Sequence, residues 1–432
     1  MVLRRGRPPH TAQSTGSTPT ELTGSPEFTG SAEFTRPRGW KGGLRIRGGR
    51  IRGLGILTLA TCTALAAGCT GSGGGPDKDE RGPTPLARIA TDPLDNAVAV
   101  GLHTPVRVVA SGGMLTRVRV TDQTGRALTG SLNPARTTWT ATGALVPTEV
   151  YSVQAQAVNS DGKSSQTSRT FSTTEPTKKL STDVMPREGA EVGVAMPIAV
   201  RFSTAVRNRA AVEKRLQVKT STPVVGAWHW ISPSEIHYRP KSYWPAHTRV
   251  TLSAELDKVN AGADVWGTAN LTRNFEIGNS VVTKVDLVDH HARAYVDGKL
   301  ERTIAVTGGK PGWETRQGIK VIIDKQTDYV FTNEMINVPE SYSLLSQYAI
   351  RVTVSGEFLH TAEWSTGSQG NSNVSHGCVG MNLEDSDWLF HHTHVGDPVE
   401  VHNPAGPQME LTNGYGDWNL SWSQWKAGSA LG

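Results

Sequence analysis

Tyr151-Ser152-Val153-Gln154-Ala155-Gln156-Ala157 alternates apolar and polar residues without a break. Successive side chains of a strand point to opposite faces, so this run reads as a strand with one face in a core and one in solvent. The same alternation recurs outward from it. Upstream, Val118 and Val120 alternate with Arg117 and Arg119, and Thr124-Gly125 and Asp161-Gly162 supply turns. Downstream, Ile198, Val200 and Phe202, then Val250, Leu252, Ala254 and Leu256, carry the period into a second unit. The two units end alike, on Arg169-Thr170-Phe171 and Arg273-Asn274-Phe275.

Two units of about 90 residues with no long helical period between them suit tandem immunoglobulin-like β-sandwiches, 88–175 and 176–279. Trp228, Trp230, Tyr238 and Trp244 of the second fit either a sugar-stacking face or core packing. A third region, 280–403, is also mostly β. A hairpin turns at Asp297-Gly298, and 319–323 and 350–354 read as further strands. Asn382, followed by Glu384, Asp385 and Asp387, predicts a capped short helix to about His394, stopped by Gly396-Asp397-Pro398. A Trp-rich tail, 404–432, is expected to pack on this third region, with Trp418, Trp422 and Trp425 at helical spacing. The fold class is mainly β.

Length and composition agree: 432 residues, 37% hydrophobic and 19% charged, exceed one ordinary domain and are too apolar for a disordered chain. The net charge of +5 is local. Residues 1–68 hold 10 Lys and Arg against 3 Asp and Glu, leaving 34 against 36 beyond. A slightly acidic body offers no general basic surface for phosphates, which argues against a nucleic-acid partner.

The basic run Arg45, Arg47, Arg50, Arg52 precedes an apolar stretch, 54–68, that is short of the ~20 residues a spanning helix needs. Basic, apolar, then small residues is the order of a secretory signal, so 1–68 is read as an extension plus signal peptide and the protein as exported. Leu65-Ala66-Ala67-Gly68-Cys69 resembles a bacterial lipobox, which implies lipid attachment at Cys69 to the outer face of the cytoplasmic membrane. Plain cleavage near Ala67 or Gly68 is the alternative. Residues 69–87 read as a flexible tether.

Cysteines occur at 62, 69 and 378, so after such processing Cys378 is the single thiol of the body. It lies in Ser375-His376-Gly377-Cys378-Val379-Gly380-Met381-Asn382. A thiol attacks as thiolate and needs a base, for which His376 and His360 are candidates. Gly377 lets the backbone fold tightly and aim the N–H groups of 377 and 378 at an oxyanion.

These residues, with Phe358-Leu359-His360-Thr361-Ala362-Glu363-Trp364 and the closing Gly396-Asp397-Pro398-Val399, resemble the YkuD-type L,D-transpeptidases over 281–401. Arg316 stands where the family's upstream pattern usually has proline. The preceding sandwiches and the tail resemble actinobacterial members. The resemblance implies an acyltransferase acting on peptidoglycan stem peptides. Cys378 would take the acyl group of a donor tetrapeptide as a thioester, expel D-alanine, and pass the stem to an acceptor in a 3→3 cross-link. It implies His360 as general base oriented by the Thr361 carbonyl, with His376 and Gly377 supporting the oxyanion. Tyr342 would sit on a lid, 330–347, and Tyr342, Trp364, Asn373 and Ser375 would meet substrate. No cofactor is implied, and carbapenem-type β-lactams would be covalent inhibitors.

Three other readings stand beside it. Water in place of an amine would make the protein an L,D-carboxypeptidase. An inactive fold would make it a wall-binding structural lipoprotein, against which the intact Cys-His pair argues. Cys378, His360 and His376 are also zinc-ligand types, but no fourth ligand has a telling spacing, and His391, His392 and His394 are accounted for by a helix C-terminus.

Overall fold

The computed structural model describes residues 84–335 and 341–432, so the expected extension and signal peptide, Cys69 and most of the expected tether lie outside the described residues. In the first sandwich, Ala97–Val100, Ser164–Thr173, Val150–Val158 and Met114–Thr121 form one sheet. Arg88–Asp92, Arg107–Ser111, Thr138–Ala141 and Gly130–Leu132 form the other. Tyr151, Val153, Ala155 and Ala157 are all buried, as their alternation predicts, and Tyr151 stacks on Phe171 at 5.2 Å.

The second sandwich repeats the plan. Thr182–Met185, Ile198–Phe202, Glu235–Pro240 and Gly226–Ser232 face Ala190–Val192, Leu271–Ile277, Arg249–Ala254 and Leu216–Thr220. The recurring Arg-x-Phe strands occupy matching places: Phe171 pairs in parallel with Ala97, and Phe275 in parallel with Ala190. Trp228, Trp230 and Trp244 are buried in this core, with Tyr238 packed against it, so no sugar-stacking face is exposed there.

The third region holds two sheets. One runs Lys299–Ala305, His291–Val296, Val281–Asp286, Pro398–His402, Gly318–Val321; the other runs Asp324–Thr332, Ser343–Arg351, Phe358–Thr361, Val379–Met381. Val285, Ile304, Ile322, Ile350, Leu359 and Val399 fill the core between them. The helix Leu383–His392 is capped by Asn382, whose Oδ1 accepts from Asp385 N at 2.8 Å, and Leu389 seals the core. The expected strand at 350–354 instead ends at Arg351. There the Arg351 guanidinium turns back to the carbonyls of Thr353 and Val354 and holds the chain in a turn.

The tail departs from expectation. Asp417–Asn419 is a single 3₁₀ turn and Trp422–Ala427 a separate helix, so the three tryptophans share no helix face. Nor does the tail pack on the third region alone. Trp425, fully buried, donates its indole N–H to Ala227 O at 2.9 Å, and Trp418 donates to Ala195 O at 2.8 Å, both on the second sandwich. Asn419 ties back to Ile319 through both its amide groups, so the tail straps the two units together. Arg239 of the second sandwich lies 4.7, 5.6 and 4.6 Å from the rings of Trp418, Trp422 and Trp425. The tryptophan stripe thus serves to cage a guanidinium.

Candidate active site

His360 sits on the central strand Phe358–Thr361, whose parallel neighbour Val379–Met381 places Gly380 opposite it. Cys378 immediately precedes that neighbour, so the two strands deliver the thiol and the imidazole to the same wall. Both line a cavity of about 590 Å³ together with Tyr342, Trp364, Ser375 and His376.

The turn before Cys378 is built by its own residues. Gly377 has φ +119°, a conformation other residues rarely adopt. Ser375 Oγ accepts from Gly377 N at 3.1 Å and donates to Cys378 O at 2.6 Å, closing the turn on itself. One expectation changes here. The Gly377 N–H is already engaged by Ser375 and does not point freely at an oxyanion. Ser375 holds the turn, although it also borders the cavity.

His360 is buried, and its Nδ1 donates to Thr361 O at 2.9 Å, leaving Nε2 as the acceptor nitrogen. Burial drives its pKa down to about 4, only partly opposed by the Thr361 carbonyl. The imidazole is therefore neutral across the physiological range. Thr361 Oγ1 is engaged elsewhere, on Ser386 Oγ at 2.6 Å, which fastens this strand to the helix. Cys378 is only half-buried on the cavity wall, but the packing around its sulfur pushes the thiol up to about 12, against the Phe358 N–H that favours its anion. The thiol donates to Gly356 O at 3.6 Å.

Around this pair the walls are aromatic. Phe331 lies 4.7 Å and Trp364 5.7 Å from the His360 ring, which keeps water from it. His376 stands between Trp313, edge-on at 5.2 Å, and Tyr342, stacked at 6.1 Å. The arms of the expected lid are the strands Asp324–Thr332 and Ser343–Arg351; its tip, 336–340, lies outside the described residues. Asn373 is not at the cavity: its amide group donates to Leu287 O and accepts from Gly308 N, so it braces the loop instead of meeting substrate. No group of three or more His, Cys, Asp or Glu suited to a metal occurs among the described residues.

Behind the thiol lies a group missed in the sequence. Lys320 and Glu357, both buried, pair at 2.6 Å, and Arg316 adds a contact to Glu357 at 3.3 Å. The available signal was a lysine inside the apolar run Ile319-Lys320-Val321-Ile322, and an acid just before Phe358-Leu359.

Comparison with known proteins meets this geometry. The L,D-transpeptidase catalytic domain model matches residues 280–401, and a bacterial Ig domain model matches 97–260, across both sandwiches. The chain is 31% identical to L,D-transpeptidase 2 of Mycobacterium tuberculosis over 393 residues, covering 87% of this chain and 95% of that protein. It is 32% identical to L,D-transpeptidase 5 of the same organism, covering 82% and 79%. A solved structure of the LD transpeptidase LdtMt1 in complex with imipenem shares 34% identity over 52% of this chain and 100% of that one, with a TM-score of 0.45. The chain belongs to the L,D-transpeptidases, enzymes acting on peptidoglycan.

Proposed function

We propose that this transpeptidase is a cysteine acyltransferase that forms 3→3 cross-links, with Cys378 as nucleophile and His360 as general base. The observation that carries the reading is the Nδ1 bond from His360 to Thr361 O, which fixes the tautomer and leaves Nε2 as acceptor on the wall Cys378 shares. With the thiol near 12 and the imidazole near 4, both are neutral at rest. Proton transfer must then accompany attack, which is general-base catalysis.

Sγ bonds to the carbonyl carbon of the diaminopimelate residue in the donor tetrapeptide as its proton passes to His360 Nε2. The amide bond to D-alanine breaks, the proton leaves on the amine, and the stem remains as a thioester. The side-chain amine of a neighbouring diaminopimelate attacks that thioester, forming the cross-link and freeing the thiol. Cys378 N–H, with Gly377 N–H engaged by Ser375, is the backbone donor for the oxyanion, and His376 lines that side. Tyr342, stacked on His376, and Trp364, beside His360, would grip the donor.

The order of residues 45–69 supports export and a lipid on Cys69, which would anchor the enzyme to the outer face of the membrane. The relative's imipenem complex supports carbapenems as covalent inhibitors here. Incubation of the full chain with disaccharide-tetrapeptide tests the reading. Cross-linked dimer with loss of D-alanine is expected; tripeptide alone would favour hydrolysis. A stem or carbapenem adduct on Cys378→Ala would overturn Cys378 as nucleophile.

A further inference from the structure

The buried pair behind the thiol takes no part in the proton and acyl transfers at Cys378 and His360. Lys320 is 1% exposed, and its Nζ lies 2.6 Å from Glu357 Oε2. Taking both charges out of water is unfavourable, and apolar replacements of such pairs often serve stability equally well, so stability is a weak reason for this one.

The placement of Glu357 gives a better reason. It is the middle residue of Gly356-Glu357-Phe358, whose neighbours both meet the sulfur: Gly356 O accepts from the thiol at 3.6 Å, and Phe358 N–H favours the thiolate. One backbone group suits the protonated sulfur and the other suits the anion. Glu357 pins this turn from behind. Its Oε1 accepts from Arg316 N at 3.0 Å and Nη1 at 3.3 Å, its Oε2 meets Lys320, and its own N–H donates to Thr353 Oγ1 at 2.8 Å. Its side chain also flanks the residue before the nucleophile: a Cβ on Gly377 would come within 3.9 Å of it.

We propose that Lys320 and Glu357 are positioning residues for Cys378: Glu357 holds the turn that cradles the sulfur, and Lys320, held by Glu357, sets its ammonium behind the thiolate formed in attack. The pair exchanges no proton; the thiol proton goes to His360 as before. Other charged or titratable groups near the sulfur are His360, His376, Arg351, Tyr329 and Tyr342 around the cavity, and Arg316, paired with Glu410 at 2.9 Å. Arg351 is directed away, to the carbonyls of Thr353 and Val354. The electrostatic influence of Lys320 favours the thiolate and that of Glu357 opposes it, so the lysine is the half whose loss should show in the pH profile.

The inference rests on Cys378 being the nucleophile. Its test measures two things in the full chain: carbapenem acylation by intact mass, and iodoacetamide labelling of Cys378 against pH by peptide mapping. Lys320→Met, which leaves the Arg316 bonds to Glu357 in place, should slow labelling of Cys378 at a fixed pH of about 9 by roughly tenfold, because less of the thiol is ionised there. It should also lower maximal acylation by roughly ten- to a hundredfold with half-saturation unchanged, as misplacement of a reacting group does. The double variant Lys320→Met/Glu357→Leu, which leaves no buried charge unpaired, should keep its melting temperature within a few degrees yet acylate as slowly. Labelling of Lys320→Met at the wild-type rate at that pH, or a folded double variant acylating at the wild-type rate, would overturn the proposal. An adduct on Cys378→Ala would instead overturn the nucleophile itself.

Discussion

Two buried histidines in this molecule have opposite fates. His360, on the cavity wall, meets only a backbone carbonyl through Nδ1, and burial pulls its pKa down to about 4. His237 lies at the seam between the second sandwich and the tail. Its Nδ1 donates to Asp417 at 3.0 Å and its Nε2 to Glu235 at 2.9 Å. Burial alone would depress it too, but Asp417 and Glu235 outweigh burial and raise it to about 9. Both side chains are almost wholly enclosed, so the partners decide the outcome: a carbonyl leaves a neutral base ready to accept a proton, and two carboxylates make a fixed cation that clamps domains.

The largest effect that would sharpen this contrast is on catalysis. His360→Ala should slow acylation by roughly 10² to 10⁴-fold, the range for general-base loss, and more than His376→Ala does. Carbapenem acylation rates check this; equal losses in the two variants would erase the distinction between base and neighbour. The seam should answer in stability instead. Asp417→Asn leaves the enclosed His237 with one carboxylate, and breaking a buried ion pair costs about 3–5 kcal/mol. A lower melting temperature with acylation of the remaining folded protein unchanged is expected, and slowed acylation in a stable variant would join the seam to the site.

Stability against pH separates the two by sign. His237 is raised from 6.5, so its contribution is complete below 6.5 and is lost as pH rises through about 9. His360 is lowered from 6.5, so the unfolded chain takes up the extra proton and stability falls as pH drops from 6.5 through about 4. Denaturant titrations of wild type and His237→Gln should show the alkaline loss blunted in the variant while the acid loss persists. The smallest effect belongs to the first sandwich. It meets the second through Lys258–Glu149 at 2.8 Å and an exposed His103–Asp264 contact at 3.2 Å. Deleting 88–175 should leave turnover on soluble fragments nearly unchanged while reducing cross-linking in intact cells; a large loss on soluble fragments would give that sandwich a part in the site.

Where the sequence was legible, one period sufficed. The alternation at Tyr151 to Ala157 and the repeated Arg-x-Phe strands announced both sandwiches, because strand side chains obey a local rule. Asn382 announced its helix for the same reason: a cap acts on residues three positions away. Contacts across long sequence separations were not legible. Asp417 reaches His237 across 180 residues, and Lys320 reaches Glu357 across 37, with no local pattern to connect them. Asn373 was misjudged for a related reason. Polar residues beside a nucleophile can face substrate or brace the loop, and only the fold shows that Asn373 is engaged by Leu287 and Gly308. The tryptophan tail shows the same limit, since Arg239, its caged partner, sits in another domain.

In the proposed mechanism Cys378 is uncharged at rest and surrenders its proton to a neutral His360 during attack. The pH dependence of carbapenem acylation, measured by intact mass on wild type and His360→Ala, tests it most directly. The wild-type rate should hold steady as pH falls through 6.5 and decline only toward about 4, and the His360→Ala rate should climb with pH toward about 12 as thiolate forms unaided. A wild-type decline centred near 6.5, or a variant that matches wild type at neutral pH, would contradict it.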